Sequence, residues 1–128
     1  MKLLLDTQLL LWATIFEERL SQKARTIISE PANKLFFSAA SIWEVAIKKG
    51  LNRPGFDVDP KILRKTLQEN GYEELPVFSS HAVVVADMPP IHKDPFDRLL
   101  IAQANYEGFT LLTADELVAK YSGAIQLV

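Results

Sequence analysis

No cysteine occurs in this 128-residue chain, and only two histidines, His81 and His92, are present. Disulfide frameworks, thiolate nucleophiles and cysteine-ligated zinc are thereby excluded, and two histidines this far apart do not suggest a zinc site. Such usage fits a cytoplasmic setting. Neither sign of charge dominates. Fourteen basic against sixteen acidic side chains leave a net charge of −2, which argues against a broad polyanion-binding surface, so a polyanionic partner must meet a local basic patch. Long apolar runs are also missing. The stretch TQLLLWATIF is too short to span a bilayer and stops at Glu17, Glu18 and Arg19. Only Lys2 precedes the apolar start and no small-residue cleavage site follows, so neither a membrane partner nor a secretory signal is expected.

What is there suits one globular domain over residues 1–128, with 48% hydrophobic residues and enough length to bury a core. Apolar runs of strand length alternate with helical stretches, the pattern of a parallel sheet covered by helices. Strands are expected at Lys2–Leu5, Lys34–Phe37, Glu73–Val77, Phe109–Leu112 and Ala124–Leu127. Helices are expected at Thr7–Phe16, Ser21–Ser29, Ala39–Lys49, from Asp59-Pro60 to Asn70-Gly71, at Ser79–Ala86, Pro95–Glu107 and Ala114–Tyr121. Gly50 is expected to close its helix in a left-handed turn, and Gly108 to end the helix that precedes it. The fold class is α/β, a three-layer α/β/α sandwich with a central parallel sheet.

Four acids stand out because their neighbourhoods are otherwise uncharged. Asp6 is the only charge from Leu3 to Phe16 and follows a strand directly. Glu44 is the only charge in FFSAASIWEVAI, residues 36–47, and Asp115 comes just past GFTLLTA. Asp97 heads an apolar helical stripe with Leu100, Ile101 and Ala104 at i+3, i+4 and i+7. A carboxylate beside dry surroundings is costly unless paired or holding a metal. In an open parallel sheet the ligand crevice lies beyond the carboxyl ends of the strands, where Asp6 and Asp115 fall. Oxygen donors without cysteine suit a hard cation such as Mg²⁺ or Mn²⁺, which can activate water and hold a phosphate oxygen, so a metal nuclease is one reading.

Structural roles compete for the same residues. Asp94-Pro95 and Asp59-Pro60 both read as an N-cap followed by a first-turn proline. Asp97 then falls at the third helical position, where an acid complements the helix dipole. Ser41-Ile-Trp-Glu44 and Thr113-Ala-Asp-Glu116 match the capping box, and Asp6 can cap the helix that follows it.

LLLDT, SAASIWEVAIKKG, HKDPFDRLLIAQA and LLTAD, in that order and spread over nearly the whole chain, resemble the motifs of PIN-domain ribonucleases, specifically VapC-like toxins of bacterial toxin–antitoxin pairs. The resemblance implies an acidic quartet at Asp6, Glu44, Asp97 and Asp115 that binds Mg²⁺ or Mn²⁺ and activates water against an RNA phosphodiester, leaving a 5′-phosphate and a 3′-hydroxyl. It places Thr113 as a support for the last acid and Asp94 as an outer contact. It implies a homodimer and a cognate antitoxin whose C-terminal segment occupies the groove near the acids. One departure is Gln8, where the subfamily with the DPFDR block tends to carry His; Gln retains hydrogen bonding but no positive charge.

The same helix start brings His92, Lys93 and Arg98 near enough to meet phosphate, although Arg98 can equally pair with Asp94 four positions earlier. Lys48, Lys49 and Arg53 form the densest basic patch, for phosphate contact or for the helix dipole. Trp12, Trp43, Phe36, Phe37 and Leu9–Leu11 are expected in the core rather than as a base-stacking platform. Because the first helix is apolar all round, Leu10, Leu11, Trp12 and Ile15 are candidates for a partner groove. Two alternatives to the ribonuclease are a module of this fold that binds RNA or a partner without cutting, and a receiver-like Mg²⁺-binding phosphoacceptor. Receivers use adjacent acids near the N-terminus and a lysine after a late strand; Asp6 stands alone.

Overall fold

The computed structural model describes residues 1–52, 54 and 56–128. Arg53, the third member of the basic patch, lies outside them. Five strands form one parallel sheet: β1 (Lys2–Leu5), β2 (Lys34–Ser38), β3 (Glu73–Leu75), β4 (Thr110–Thr113) and β5 (Ile125–Leu127). Their order is β3-β2-β1-β4-β5, with Leu4 opposite Phe36 on one side and Leu111 on the other. Helices α1 (Thr7–Thr14), α2 (Gln22–Ser29), α3 (Ala39–Gly50), α4 (Pro60–Glu69), α5 (Ser79–Val85) and α6 (Pro95–Glu107) connect them. This is the expected α/β/α sandwich.

Why LLL makes a central strand is visible in the pleat. Leu3 and Leu5 pack with Phe37, Leu112 and the α1 and α4 residues Leu9, Leu63 and Leu67; Leu4 points the other way, to Phe36, Leu111 and the α6 residues Leu100, Ile101 and Ala104. All these side chains are buried, and each fully buried leucine is worth about 1.5–3 kcal/mol. The strand order reverses between β1 and β4, so the ends of these two neighbours open a crevice where their connections diverge.

Helix starts follow side-chain chemistry. Asp6, Ser21, Ser38, Asp59 and Asp94 each cap a helix through a side-chain oxygen, and proline follows in α4 and α6. Gly108 ends α6 at φ 73° as expected. Gly50 does not: it is the last residue of α3, which is capped by Leu51, and the positive φ falls on Asn52. The helix expected over 114–121 is also absent, replaced by a 3-10 turn at Val118–Lys120. There the Asp115 carboxylate accepts from Leu117 N and the Thr113 hydroxyl from Asp115 N, local bonds that divert the backbone from a helical start. Trp43 is 62% exposed rather than in the core, edge-on to Phe96 at 5.3 Å. Leu9–Leu11 are buried in the core, which leaves Trp12 in α1 and Ile15, just past its end at Thr14, as the groove candidates that reach the surface. No helix among the described residues is long and apolar enough to cross a membrane.

Candidate metal centre

One pocket of about 380 Å³ at the switch point is lined by Asp6, Glu44, Asp94, Asp97 and Asp115, with Lys48, Gln8 and Trp12 at its sides. Five carboxylates that the sequence spreads over 110 positions thus face one space. Asp6 arrives because β1 ends there and α1 begins: its Oδ1 accepts from Leu9 N at 2.9 Å, while its Oδ2 accepts from the Thr113 hydroxyl at 2.5 Å. Thr113 in turn receives Asp115 N at 3.0 Å, so one hydroxyl couples the first acid to the last. Thr7 donates to Ser41 Oγ at 2.9 Å and ties α1 to α3 beside them.

Glu44 sits in the middle of α3 rather than in its first turn, because Ser38, not Ser41, is the cap. Its side chain is buried. Oε2 pairs with Lys48 one turn on at 2.8 Å, whereas Oε1 has no hydrogen-bond partner. Trp12 Nε1 is likewise buried and unpaired. Orphaned buried polar atoms are rare in folded proteins and call for a further partner such as water or an ion.

Asp94 caps α6 through Oδ1, which accepts from Phe96 N and Asp97 N. Asp97 projects beside it. Burial first, then the carboxylates of Asp94 and Asp6, push Asp97 up to about 7; His92 opposes this and Glu44 adds to it. Asp6 is pushed up to about 6 by burial, with the Thr113 and Leu9 hydrogen bonds pulling the other way. Burial also acts upward on Asp115, but hydrogen bonds from His92 and Leu117 outweigh it and hold that carboxyl below its ordinary value. The cluster therefore resists carrying its full negative charge.

The donor set fits a divalent cation. It is built of oxygens, has a buried orphan in Glu44 Oε1, and is electrostatically strained in a way that an added positive charge relieves. Asp6, Glu44, Asp97 and Asp115 line the pocket and could hold it; among the described residues, the ligand atoms within 4.8 Å of one another are those of His92, Asp97 and Asp115.

Of the basic residues considered for phosphate contact, Lys48 lines the pocket while paired with Glu44. Lys49 pairs with Asp57 instead. His92 Nε2 lies 3.2 Å from Asp97 Oδ2 and 3.0 Å from Asp115 Oδ2, against the acids themselves. Arg98 departs from both readings of it. Its terminal nitrogens bond Pro89 O at 2.9 Å, Val85 O at 3.3 Å and the Tyr121 hydroxyl at 3.1 Å, and no pair with Asp94 forms among the described residues. A planar fork of donors satisfies several loop carbonyls at once, which a single carboxylate four residues away does not offer. The Glu44–Lys48 pair was legible as an i, i+4 spacing; nothing in the sequence signals the bridging position of His92.

A profile of the PIN domain matches residues 3–124 of the chain. No curated protein matches the sequence significantly. The fold is similar to that in the crystal structure of VapBC2 from Rickettsia felis, bound to a DNA fragment from their promoter, with a TM-score of 0.72 at 12% identity over 99% of this chain and 98% of that one. It is also similar to FitAcB from Neisseria gonorrhoeae, with a TM-score of 0.58 at 17% identity over 91% and 89% of the two chains.

Proposed function

The chain belongs to the PIN-domain family, a family of nucleases, and from that premise we propose that it is a Mg²⁺- or Mn²⁺-dependent endoribonuclease serving as the toxin of a toxin–antitoxin pair. The observation that carries the proposal is the convergence of Asp6, Glu44, Asp97 and Asp115 on one pocket at the strand-order reversal, with a buried oxygen of Glu44 left unpartnered. Bound there, a divalent cation supplies a lowered pKa for water and a counter-charge for a phosphate oxygen.

The protein's own residues do the rest. Leu9 N and Thr113 fix both oxygens of Asp6, so its carboxylate cannot rotate away when the pocket fills. Burial of α6 along Leu100, Ile101 and Ala104 keeps Asp97 rigid at the helix start. Lys48 offsets one oxygen of Glu44 and stands at the pocket side, where an RNA phosphate passes. Hydrolysis adds water to phosphorus and breaks the bond to O3′, leaving a 3′-hydroxyl and a 5′-phosphate. Gln8, also at the pocket, offers the substrate a hydrogen bond and no charge. The homodimer, the cytoplasmic location and the antitoxin belong to the same proposal, supported by the ordered motifs shared with VapC-like toxins.

Incubating purified protein with RNA, in Mg²⁺ or Mn²⁺ and in EDTA, tests the chemistry. Cleavage is expected only with the cation and not from Asp6→Asn. Cutting in EDTA, or undiminished cutting by the variant, would overturn the assignment. Expression in a bacterial host with and without the product of the neighbouring gene tests the toxin role, since growth arrest should appear only when the partner is missing.

A further inference from the structure

His92 carries a role that the acidic quartet does not include. Its ring sits at the end of the loop entering α6, and both nitrogens are engaged. Nδ1 lies 3.0 Å from the backbone N–H of Asp94, and a backbone N–H can only donate, so Nδ1 accepts and holds no proton. The proton therefore resides on Nε2. That N–H donates to Asp115 Oδ2 at 3.0 Å, and Nε2 also lies 3.2 Å from Asp97 Oδ2 as an electrostatic contact. Coordination of a metal through Nε2 would require the opposite tautomer, with a proton on Nδ1 facing another N–H. The ring is thus built to donate to Asp115 while facing Asp97, and not to ligate.

The loop is fixed for this purpose from behind. The Tyr121 hydroxyl accepts from His92 N at 2.8 Å and from Arg98 at 3.1 Å, and Arg98 also holds the carbonyls of Val85 and Pro89. The Tyr121 and Arg98 side chains thereby position the backbone that carries the imidazole. Its Nε2 and the Asp97 and Asp115 oxygens lie within 4.8 Å of one another.

We propose that His92 is a positioning residue, held by Tyr121 and Arg98, whose Nε2–H draws Asp97 and Asp115 together and fixes the rotamers in which they meet a divalent cation. The inference rests on the metal-nuclease reading above. Carboxylate ligands are commonly oriented by such outer hydrogen bonds, and loss of one typically weakens metal affinity by about 10–100-fold. Without the donor, two like charges at this separation repel and the side chains lose their preorganisation.

The test measures Mn²⁺ binding directly, from the EPR signal of free aquo-Mn²⁺, in the absence of RNA. His92→Ala should raise the Kd by roughly 10–100-fold. His92→Gln, whose amide nitrogen reaches the Nε2 position, should recover part of the loss. Tyr121→Phe, which keeps the ring and loses the anchor, should shift the Kd in the same direction by less. RNA affinity in EDTA should stay within about twofold for His92→Ala, because the ring is committed to carboxylates. Unchanged or tighter Mn²⁺ binding in His92→Ala overturns the inference while leaving the nuclease reading intact. Weaker RNA binding in EDTA with unaltered Mn²⁺ binding overturns it in favour of phosphate contact. A wild-type protein that binds no Mn²⁺ overturns the metal reading, and this inference with it.

Discussion

Replacing Asp97 by Asn should stabilise the metal-free protein at pH 8 and abolish its response to divalent cations. Burial, then Asp94 and Asp6, hold this carboxyl up to about 7 in the folded state, against 3.8 in the unfolded chain. The folded state therefore binds the proton more tightly. Stability linked to the group is full below about pH 4 and is lost as the pH rises to about 7. The gap between 3.8 and about 7 corresponds to ~4 kcal/mol in the absence of screening. With 21% of the side chain exposed, solvent reduces this, and about 1–2 kcal/mol is expected. Asn keeps an oxygen for His92 Nε2–H and removes the charge. In EDTA at pH 8 the variant should melt roughly 5 °C higher, and the difference should close toward pH 4. Saturating Mn²⁺ should reverse the ranking. A cation at one hundred times its Kd stabilises the protein that binds it by about 2.7 kcal/mol and leaves the other unchanged. Scanning calorimetry from pH 4 to pH 8, with EDTA and with Mn²⁺, reads both effects. Equal melting temperatures in EDTA at pH 8, or the same Mn²⁺ shift in both proteins, would refute the electrostatic account.

Thr113→Val removes the hydroxyl that serves Asp6 Oδ2 and Asp115 N, so it should cost about 1–3 kcal/mol in EDTA and weaken Mn²⁺ binding as well; an unaltered melting curve contradicts this. Arg98→Lys cannot hold the carbonyls of Val85 and Pro89 together with Tyr121, and it should lower stability by about 1–3 kcal/mol with RNA affinity in EDTA preserved. Loss of RNA affinity at constant stability would restore the phosphate-contact role. Gly123→Ala places a methyl group at φ 124° and against Asn105 Oδ1, and should destabilise by about 1–3 kcal/mol on chemical denaturation. Adding Asn105→Ala should recover only the steric part, because the backbone conformation stays unfavourable.

Much of the fold was legible because local and global signals agree. The uninterrupted LLL of β1 can be buried on both faces only in a central parallel strand, and Asp59-Pro60 and Asp94-Pro95 announce their helices through capping chemistry that needs no tertiary context. The acids Asp6 and Asp115 were visible as charges at strand ends, and the strand order brings those ends side by side. Glu44 was harder to place. Ser41-Ile-Trp-Glu44 has the spacing of a capping box, yet Ser38 is the cap, so Glu44 lies mid-helix rather than in a first turn. The segment after β4 failed for a related reason: Thr113 and Asp115 have the composition of a helix start, yet their oxygens are taken by a turn. Trp43 and Arg98 lay beyond sequence altogether. An indole is apolar enough for any core, and a guanidinium suits phosphate, carboxylate or carbonyl equally; only the packed neighbours decide.

The hydrogen bond from Thr113 to Asp6 joins positions 107 residues apart. Until β4 has inserted beside β1, Asp6 is a lone helix cap, and Asp115 has no neighbour to meet. A nascent chain still threading through the ribosome thus possesses most of its acids but no shared chamber for them. On the proposed nuclease reading, the pocket is completed only when β4 docks beside β1, so a chain that has not yet placed its late strands lacks the assembled acids.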